Sequence, residues 1–357
     1  MINQVEPNFD SLESEYIVDY LNSGGWATEN KVTRDFEQKI ANYVGMKHAI
    51  AVPSGTVALY LAVLSLNLKK GSYIGVPNLT MVATINAILW AGHIPVIIDT
   101  DEEMCLSLDS LMKVDKISAL MYVPLNGKSG NAFEIKHYCQ ENKILLIEDS
   151  AHALGSKYDS STPCGSLGDL SVISFTPHKI ITTGQGGMIL TNNKDFYNFL
   201  VQIKSFNRTK DKSDFHDGFG LNFKITDLQA SLGLSQFMKL DNFISRKEEI
   251  LKYYKENLKT DLFSFQPFVN YEVPWFFDIQ FKTEALKRDF QDYLDTKGIE
   301  TRDCYPALST QPYLKKYKNE HLEYSENVYK KILWLPSGNN LDEDQLSYIC
   351  KTVLQYI

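Results

Sequence analysis

Little in this chain of 357 residues favours a covalent framework: its five cysteines, Cys105, Cys139, Cys164, Cys304 and Cys350, are odd in number and form no C-x-x-C pair. That usage argues against disulfides and against a zinc ribbon, and it fits thiols kept reduced in the cytoplasm. The seven histidines include no H-E-x-x-H, and no metal is expected. No apolar run reaches the roughly 18 residues of a membrane-crossing helix. The opening stretch, MINQVEPNFDSLESEYIVDYL, has neither the basic nor the apolar part of a secretory signal. There is also no block of Lys and Arg, and the net charge is −8. Nucleic acid is thereby excluded as a main partner, although a local basic pocket for a phosphorylated ligand stays compatible with an acidic surface.

What is present is an ordinary globular composition, 44% apolar and 22% charged, over a length that suits one large domain and one smaller one. Val32, Phe36, Ile40 and Val44 recur at helical spacing after the turn SGGWATEN. Apolar strand-like runs then alternate with helical ones: HAIAV, YIGV, IPVIID, ISALMYV, ILLIED, SVISF and GMILT. Continuous apolar strands separated by amphipathic helices indicate an α/β domain with a mostly parallel seven-stranded sheet covered on both faces. This rhythm stops after Asn193, and the remainder reads as a small C-terminal α+β domain. The expected division is residues 1–244, including an N-terminal helical segment, and 245–357.

Ligands of such sheets sit at the carboxyl ends of the strands, and several polar groups fall there: Ser54-Gly55-Thr56, Pro77-Asn78-Leu79-Thr80, Asn126-Gly127, Asp149 and the loop around Lys179. In PSGTVALYL, Gly55 and Thr56 open a helix whose first amides can hold a phosphate; equally, Ser54 or Thr56 is a plain N-cap. In ILLIEDSAHALGS, an acid at the end of a buried strand needs a cationic partner. Asp149 could therefore bond a protonated heteroaromatic nitrogen and His152 an anionic oxygen, or the two are a cap and a core histidine. In SVISFTPHKIITTGQGG, Lys179 is a surface charge, a phosphate clamp or, if desolvation lowers its pKa, a nucleophilic amine. The GQGG run has neither the spacing of a dinucleotide fingerprint nor that of a Walker loop. A phosphate cup, an acid and an amine along one series of strand ends point together to pyridoxal phosphate.

With those residues the chain resembles the DegT/DnrJ/EryC1/StrS family of sugar aminotransferases, whose fold is the type I pyridoxal-phosphate transferase fold. The resemblance runs through GGWATENKVTRDFEQKIANYVGMKHAIAVPSGTVAL, IEDSAHALGS, SFTPHKIITTGQGGMI and GFGLNFKITDLQASLGLSQFMKLD, with KGIETRDCYP, STQPY and LPSG further on. It implies that Lys179 bonds the cofactor, that Asp149 holds the pyridine nitrogen, and that His152 lies near the phenolic oxygen. Ser174, Gly55 and Thr56 would hold the phosphate. Asn222 would reach the cofactor of a neighbouring subunit, which implies a homodimer with shared active sites. Met81 stands where the family commonly stacks an aromatic ring, Lys224 where it has an arginine, Pro124-Leu125-Asn126-Gly127 in place of H-L-Y-G, and Ser309 in place of a histidine.

The reaction so implied moves an amino group from an amino acid, usually L-glutamate, to a nucleotide-linked keto-sugar, with pyridoxamine 5′-phosphate as the intermediate carrier. IETRDCYP and LPSG look more like enzymes that aminate C4 of 4-keto-6-deoxy sugars, such as perosamine or bacillosamine-type synthases, than like 3-aminotransferases. The amino sugar would serve surface-polysaccharide or lipopolysaccharide synthesis. Lys224, Arg208 and Arg302 are candidates for nucleotide or sugar contacts. Two other readings use the same cofactor: a sugar dehydratase, which in this family carries histidine in place of the lysine, and a non-catalytic regulator. His178 adjoins Lys179, but the distance from Ser174 places the amine at the cofactor-bonding position.

Overall fold

A computed structural model describes residues 1–209 and 214–356. Seven short apolar runs form β1 (His48–Val52), β2 (Tyr73–Pro77), β3 (Ile94–Ile98), β4 (Ala119–Tyr122), β5 (Leu145–Asp149), β6 (Leu170–Ser174) and β7 (Gly187–Thr191). They make one sheet in the order β1-β7-β6-β5-β4-β2-β3. The pairings among β2, β3, β4, β5 and β6 are parallel. β7 runs antiparallel to both β6 and β1. The reason is in the connections: parallel neighbours need a crossover, whereas the loop from Phe175 to Gly186 simply doubles back. Helix Gly55–Ser65 follows β1, helix Val82–Trp90 follows β2 and helix Ala132–Glu141 follows β4. Every residue of β6 and β7 is buried, as strands covered on both faces should be.

A second sheet, all antiparallel, joins β8 (Phe263–Phe265), β9 (Phe277–Phe281), β10 (Arg302–Asp303) and β11 (Ile332–Leu335) in the order β10-β11-β9-β8. Its core packs Phe277, Ile279 and Phe281 against Ile250 and Tyr254 of helix Leu240–Asn257, Phe290 of helix Glu284–Thr296, and Ile349 and Val353 of helix Glu343–Tyr356. Positions 244 and 245 lie inside helix Leu240–Asn257. Phe243 of that helix belongs to the core under the large sheet, while Ile250 and Tyr254 belong to the small one. One rigid helix therefore passes from the first core to the second. The N-terminal residues dock on the small unit: Ile2 bridges Ile299, and Gln4 O accepts from Ser337 N at 2.7 Å.

The edge of the large sheet that carries the polar clusters is assembled around Gly187. In register it faces Val52 on one side and Ser174 on the other. A Cβ at Gly187 would lie 2.5 Å from the carbonyl of Ser54, and one at Gly55 would lie 2.9 Å from Ser174 Cβ. Only glycine lets the start of helix Gly55–Ser65 close on the end of β6.

Candidate active site

Strand periodicity separates the two acids that end β5, because successive side chains point to opposite faces. Glu148 turns into a polar nest, accepting from Tyr158 Oη, Ser171 Oγ at 2.9 Å, Gly165 N at 3.1 Å and Gly168 N at 2.5 Å. Its lone pairs are consumed there. Asp149, 4% exposed, turns the other way. Thr84, two residues into helix Val82–Trp90, donates its hydroxyl to Asp149 Oδ2 at 2.7 Å, and Ala151 N–H reaches Oδ1 at 3.3 Å. Burial raises the Asp149 pKa, against the Thr84 bond and the Lys179 charge, which lower it.

Lys179 lies in the doubled-back loop between β6 and β7. Its Nζ sits 3.7 Å from the centre of the Trp275 ring and, among the described residues, makes no hydrogen bond. Desolvation pulls the amine down to about 7; Asp149 opposes this shift and the Arg302 charge adds to it. An amine in that state is substantially neutral near neutral pH and free to act as nucleophile or base.

Trp275 organises the rest. His152, buried at 5%, stacks on it with ring centres 4.1 Å apart and planes 26° apart, and faces Tyr305 at 5.7 Å on a plane 18° away. Among the described residues, the buried His152 Nδ1 has no partner, nor has Ser150 Oγ next to Asp149. Burial, then the Lys179, His178 and Arg302 charges, holds His152 well below the ordinary imidazole range. Trp275 is itself held at three points. Its indole N–H donates to His178 O at 2.7 Å, its amide to Asn126 O at 3.3 Å, and its carbonyl accepts from Lys247 at 2.9 Å. His178 is therefore tied in by its backbone carbonyl, and its ring is pushed down to about 4 by burial and by the Lys179 and Arg302 charges.

The structure brings together Asp149, His152, Lys179 and Arg302, and sets Gly55 against Ser174. Ser54, not Thr56, caps the helix: its hydroxyl accepts from Val57 N at 3.2 Å, and Thr56 is exposed. Met81 is 43% exposed and turns its sulfur onto its own helix, where Ala83 N donates at 3.0 Å. Asn126, buried, is spent on structure, clasping Phe276 through N–H···O bonds in both directions. Asn222 is exposed and bridges Ser205 through the backbone; Arg208 pairs with Asp214 at 3.3 Å. Lys224 is half-buried and adds its charge near Lys204. Among the described residues, none of these last three bonds to the Asp149–Lys179 group within the one chain. Thr84, Trp275 and Tyr305 were not singled out from the sequence. Thr84 had a signal in its four-residue spacing from Thr80, whose hydroxyl it meets at 2.9 Å. Trp275, almost a hundred positions beyond Lys179, had none.

Comparison with known proteins places this geometry. The DegT/DnrJ/EryC1/StrS aminotransferase family model matches residues 7–354. GDP-perosamine synthase of Escherichia coli O157:H7 is 32% identical over 356 residues, covering 98% of this chain and 97% of that protein. The UDP-4-amino-4,6-dideoxy-N-acetyl-beta-L-altrosamine transaminase of Campylobacter jejuni subsp. jejuni serotype O:23/36 is 30% identical over 346 residues, covering 92% and 91%. Helicobacter pylori PseC, an aminotransferase involved in the biosynthesis of pseudoaminic acid, superposes with a TM-score of 0.93 at 25% identity, covering 99% and 98%. The chain belongs to the DegT/DnrJ/EryC1/StrS aminotransferase family, and it has the fold expected of that family.

Proposed function

We propose that this aminotransferase moves an amino group from L-glutamate to C4 of a nucleotide-linked 4-keto-6-deoxy sugar, with the residues around Lys179 as its working groups. The enzyme is a pyridoxal-phosphate-dependent sugar aminotransferase, and its residues fit that cofactor. Among the described residues, the Nδ1 of His152 and the amine of Lys179 have no hydrogen-bond partner, Asp149 keeps lone pairs beyond those that Thr84 and Ala151 fill, and Gly55 and Ser174 form a cradle with no Cβ between them. Asp149 would hold the ring nitrogen, His152 the phenolic oxygen, Lys179 the aldehyde carbon, and Ser174 with the amides of Gly55 and Thr56 the phosphate. Bound pyridoxal phosphate supplies an electrophilic carbon and a ring that takes up electron density.

The chain's own contribution is to protons and charge. Lys179, with an amine pulled down to about 7, accepts a proton in one half of the reaction and returns it in the other. At Asp149 the Thr84 hydroxyl and the Lys179 charge favour the ionised carboxyl against its burial, opposite the position where positive charge is needed. The Trp275 ring fixes one face of the site and excludes water from the amine. A homodimer in the cytoplasm completes the proposal: exposed Asn222 and half-buried Lys224 lie outside the chain's own site, where a neighbouring subunit could use them. The sugar assignment draws on relatives named GDP-perosamine synthase, UDP-4-amino-4,6-dideoxy-N-acetyl-beta-L-altrosamine transaminase and dTDP-4-dehydro-2,3,6-trideoxy-D-glucose 4-aminotransferase.

The observation that carries the reading is the unbonded, low-pKa Lys179 amine beside a buried carboxylate. The test is incubation of the purified protein with L-glutamate and a panel of GDP-, UDP- and dTDP-linked 4-keto-6-deoxy sugars, read by mass spectrometry. An amino sugar in one arm supports it. Deoxygenated sugar formed without glutamate would identify a dehydratase instead.

A further inference from the structure

A cation without a counter-ion among the described residues stands beside this site. In the two-residue strand β10 the pleat sends neighbouring side chains to opposite sides. Asp303 turns to an ion pair with Lys287, and Arg302 is left without it. Among the described residues Arg302 makes no ion pair and no side-chain hydrogen bond. Its guanidinium carbon instead lies 5.6 Å from the centre of Trp334, 5.8 Å from Tyr305 and 5.9 Å from Phe276. Aromatic faces steady a cation but satisfy none of its five N–H donors.

The box that holds Arg302 is continuous with the wall of the active site. Tyr305 faces His152, His152 stacks on Trp275, Trp275 stacks on Phe276 at 3.8 Å, and the Lys179 amine rests on Trp275. Arg302 is close enough to depress the basicity of Lys179, His152 and His178 together. Like charges gathered this way are mutually unfavourable until an anion arrives.

The two substrates offer that anion at different places. In an amino-acid donor, a carboxylate is bonded directly to the carbon whose amine is transferred. In a nucleotide sugar aminated at C4, the diphosphate is attached at C1, across the pyranose ring from the reacting carbon. Lys179 has to reach the reacting carbon in both cases, so a cation sharing its aromatic wall lies near the groups bonded to that carbon.

We infer that Arg302, held by the Phe276, Tyr305 and Trp334 rings, is the seat of the amino donor's carboxylate. Its planar fork matches a carboxylate in a bidentate pair, and the aromatic box keeps the cation in place while the sugar, which has no carboxylate there, occupies the site. The inference rests on the amino-transfer reading above.

Calorimetry on the cofactor-loaded enzyme tests it with two probes: glutarate, and whichever of GDP, UDP and dTDP binds the wild type. In Arg302→Gln, glutarate affinity should fall roughly 30-fold while nucleotide affinity stays within about threefold. Arg302→Lys, which retains the charge and loses the fork, should fall between and guards against a Gln variant that does not fold. In the cofactor-free protein, Arg302→Gln should also raise the pH at which the Lys179 amine becomes reactive, a change that loosened packing alone would not produce. Unchanged glutarate binding, or nucleotide binding weakened as much as glutarate binding, would overturn the assignment. A wild type that binds glutarate but transfers no amine from L-glutamate would refute the amino-transfer reading and leave the carboxylate seat standing.

Discussion

Lys179 meets Trp275 at its ring and Lys247 meets it at its carbonyl, and burial pulls both amines down to about 7. Beyond that the two regions part. Lys247 is fully engaged, donating to Trp275 O at 2.9 Å and to Ser337 O, and so ties helix Leu240–Asn257 to the segments before β9 and after β11. Lys179 donates to no described residue and has a carboxylate, Asp149, within electrostatic reach. A third buried lysine, Lys204, is lowered only to about 8 and is held by Glu29 at 2.7 Å and Ala51 O at 2.9 Å. Lowered basicity therefore marks burial, and an unsatisfied amine marks chemistry.

The comparison breaks most sharply at Lys179 itself. Lys179→Ala should cut turnover at least about a thousandfold, the upper range for loss of a general acid–base group, while the melting temperature of the cofactor-free protein holds or rises because, among the described residues, the amine makes no hydrogen bond to lose. Steady-state assay beside a thermal melt reads both. Asp149→Asn keeps the shape and removes the charge; turnover should fall on the order of a hundredfold, with weaker cofactor retention on dialysis.

Lys247→Met is the converse case. Two buried carbonyls lose their donor, so denaturant unfolding should show a loss of about 2 kcal/mol, with turnover falling far less than in Lys179→Ala. If this variant lost turnover as Lys179→Ala does without losing stability, the distinction between the two amines would collapse. The smallest effect belongs to Thr84→Val, which removes one hydrogen bond to Asp149 and should cost about 1 kcal/mol in stability. Its signature is a further rise in the Asp149 pKa, since that bond favours the ionised carboxylate.

Acidity offers a separate check. Both amines sit near 7 in the folded chain and start from 10.5. Between those values the unfolded chain holds more protons than the folded one, so stability of the cofactor-free protein rises with pH across that window. Below about 7 both states are protonated and the gain is absent. Chemical modification of Lys179, followed by peptide mass spectrometry in the cofactor-free protein, should be half-maximal near pH 7 and complete well before 10.

The strands of the large sheet were legible because each is a contiguous apolar run, and burial on both faces leaves no alternative face to confuse the pattern. Asp149 stood out for a related reason: a charged residue at the end of such a run is a local contradiction visible within a few positions. Lys179, five residues past the end of β6, stood out only beside Asp149 and the glycine-bearing helix start. Arg302 appeared only as one cation among several, since nothing in IETRDCYP reveals that its neighbour Asp303 is taken by Lys287. Asn126 and Glu148 looked as polar and as well placed as Asp149; the bonds that occupy them come from Phe276 and from Tyr158, Ser171 and the amides of Gly165 and Gly168.

By itself the sequence determined the α/β architecture, carried by short stretches whose local pattern is enough, and it offered an acid, an amine and glycine-bearing strand ends as candidates. Only the tertiary structure decided which polar groups were already satisfied and which were left open. That depended on Trp275 arriving over Lys179 and His152 from the loop before β9, and on the aromatic box closing around Arg302. Hydrogen-bond and charge satisfaction are pairwise properties of residues far apart in the chain, and the fold alone supplies the second member of each pair.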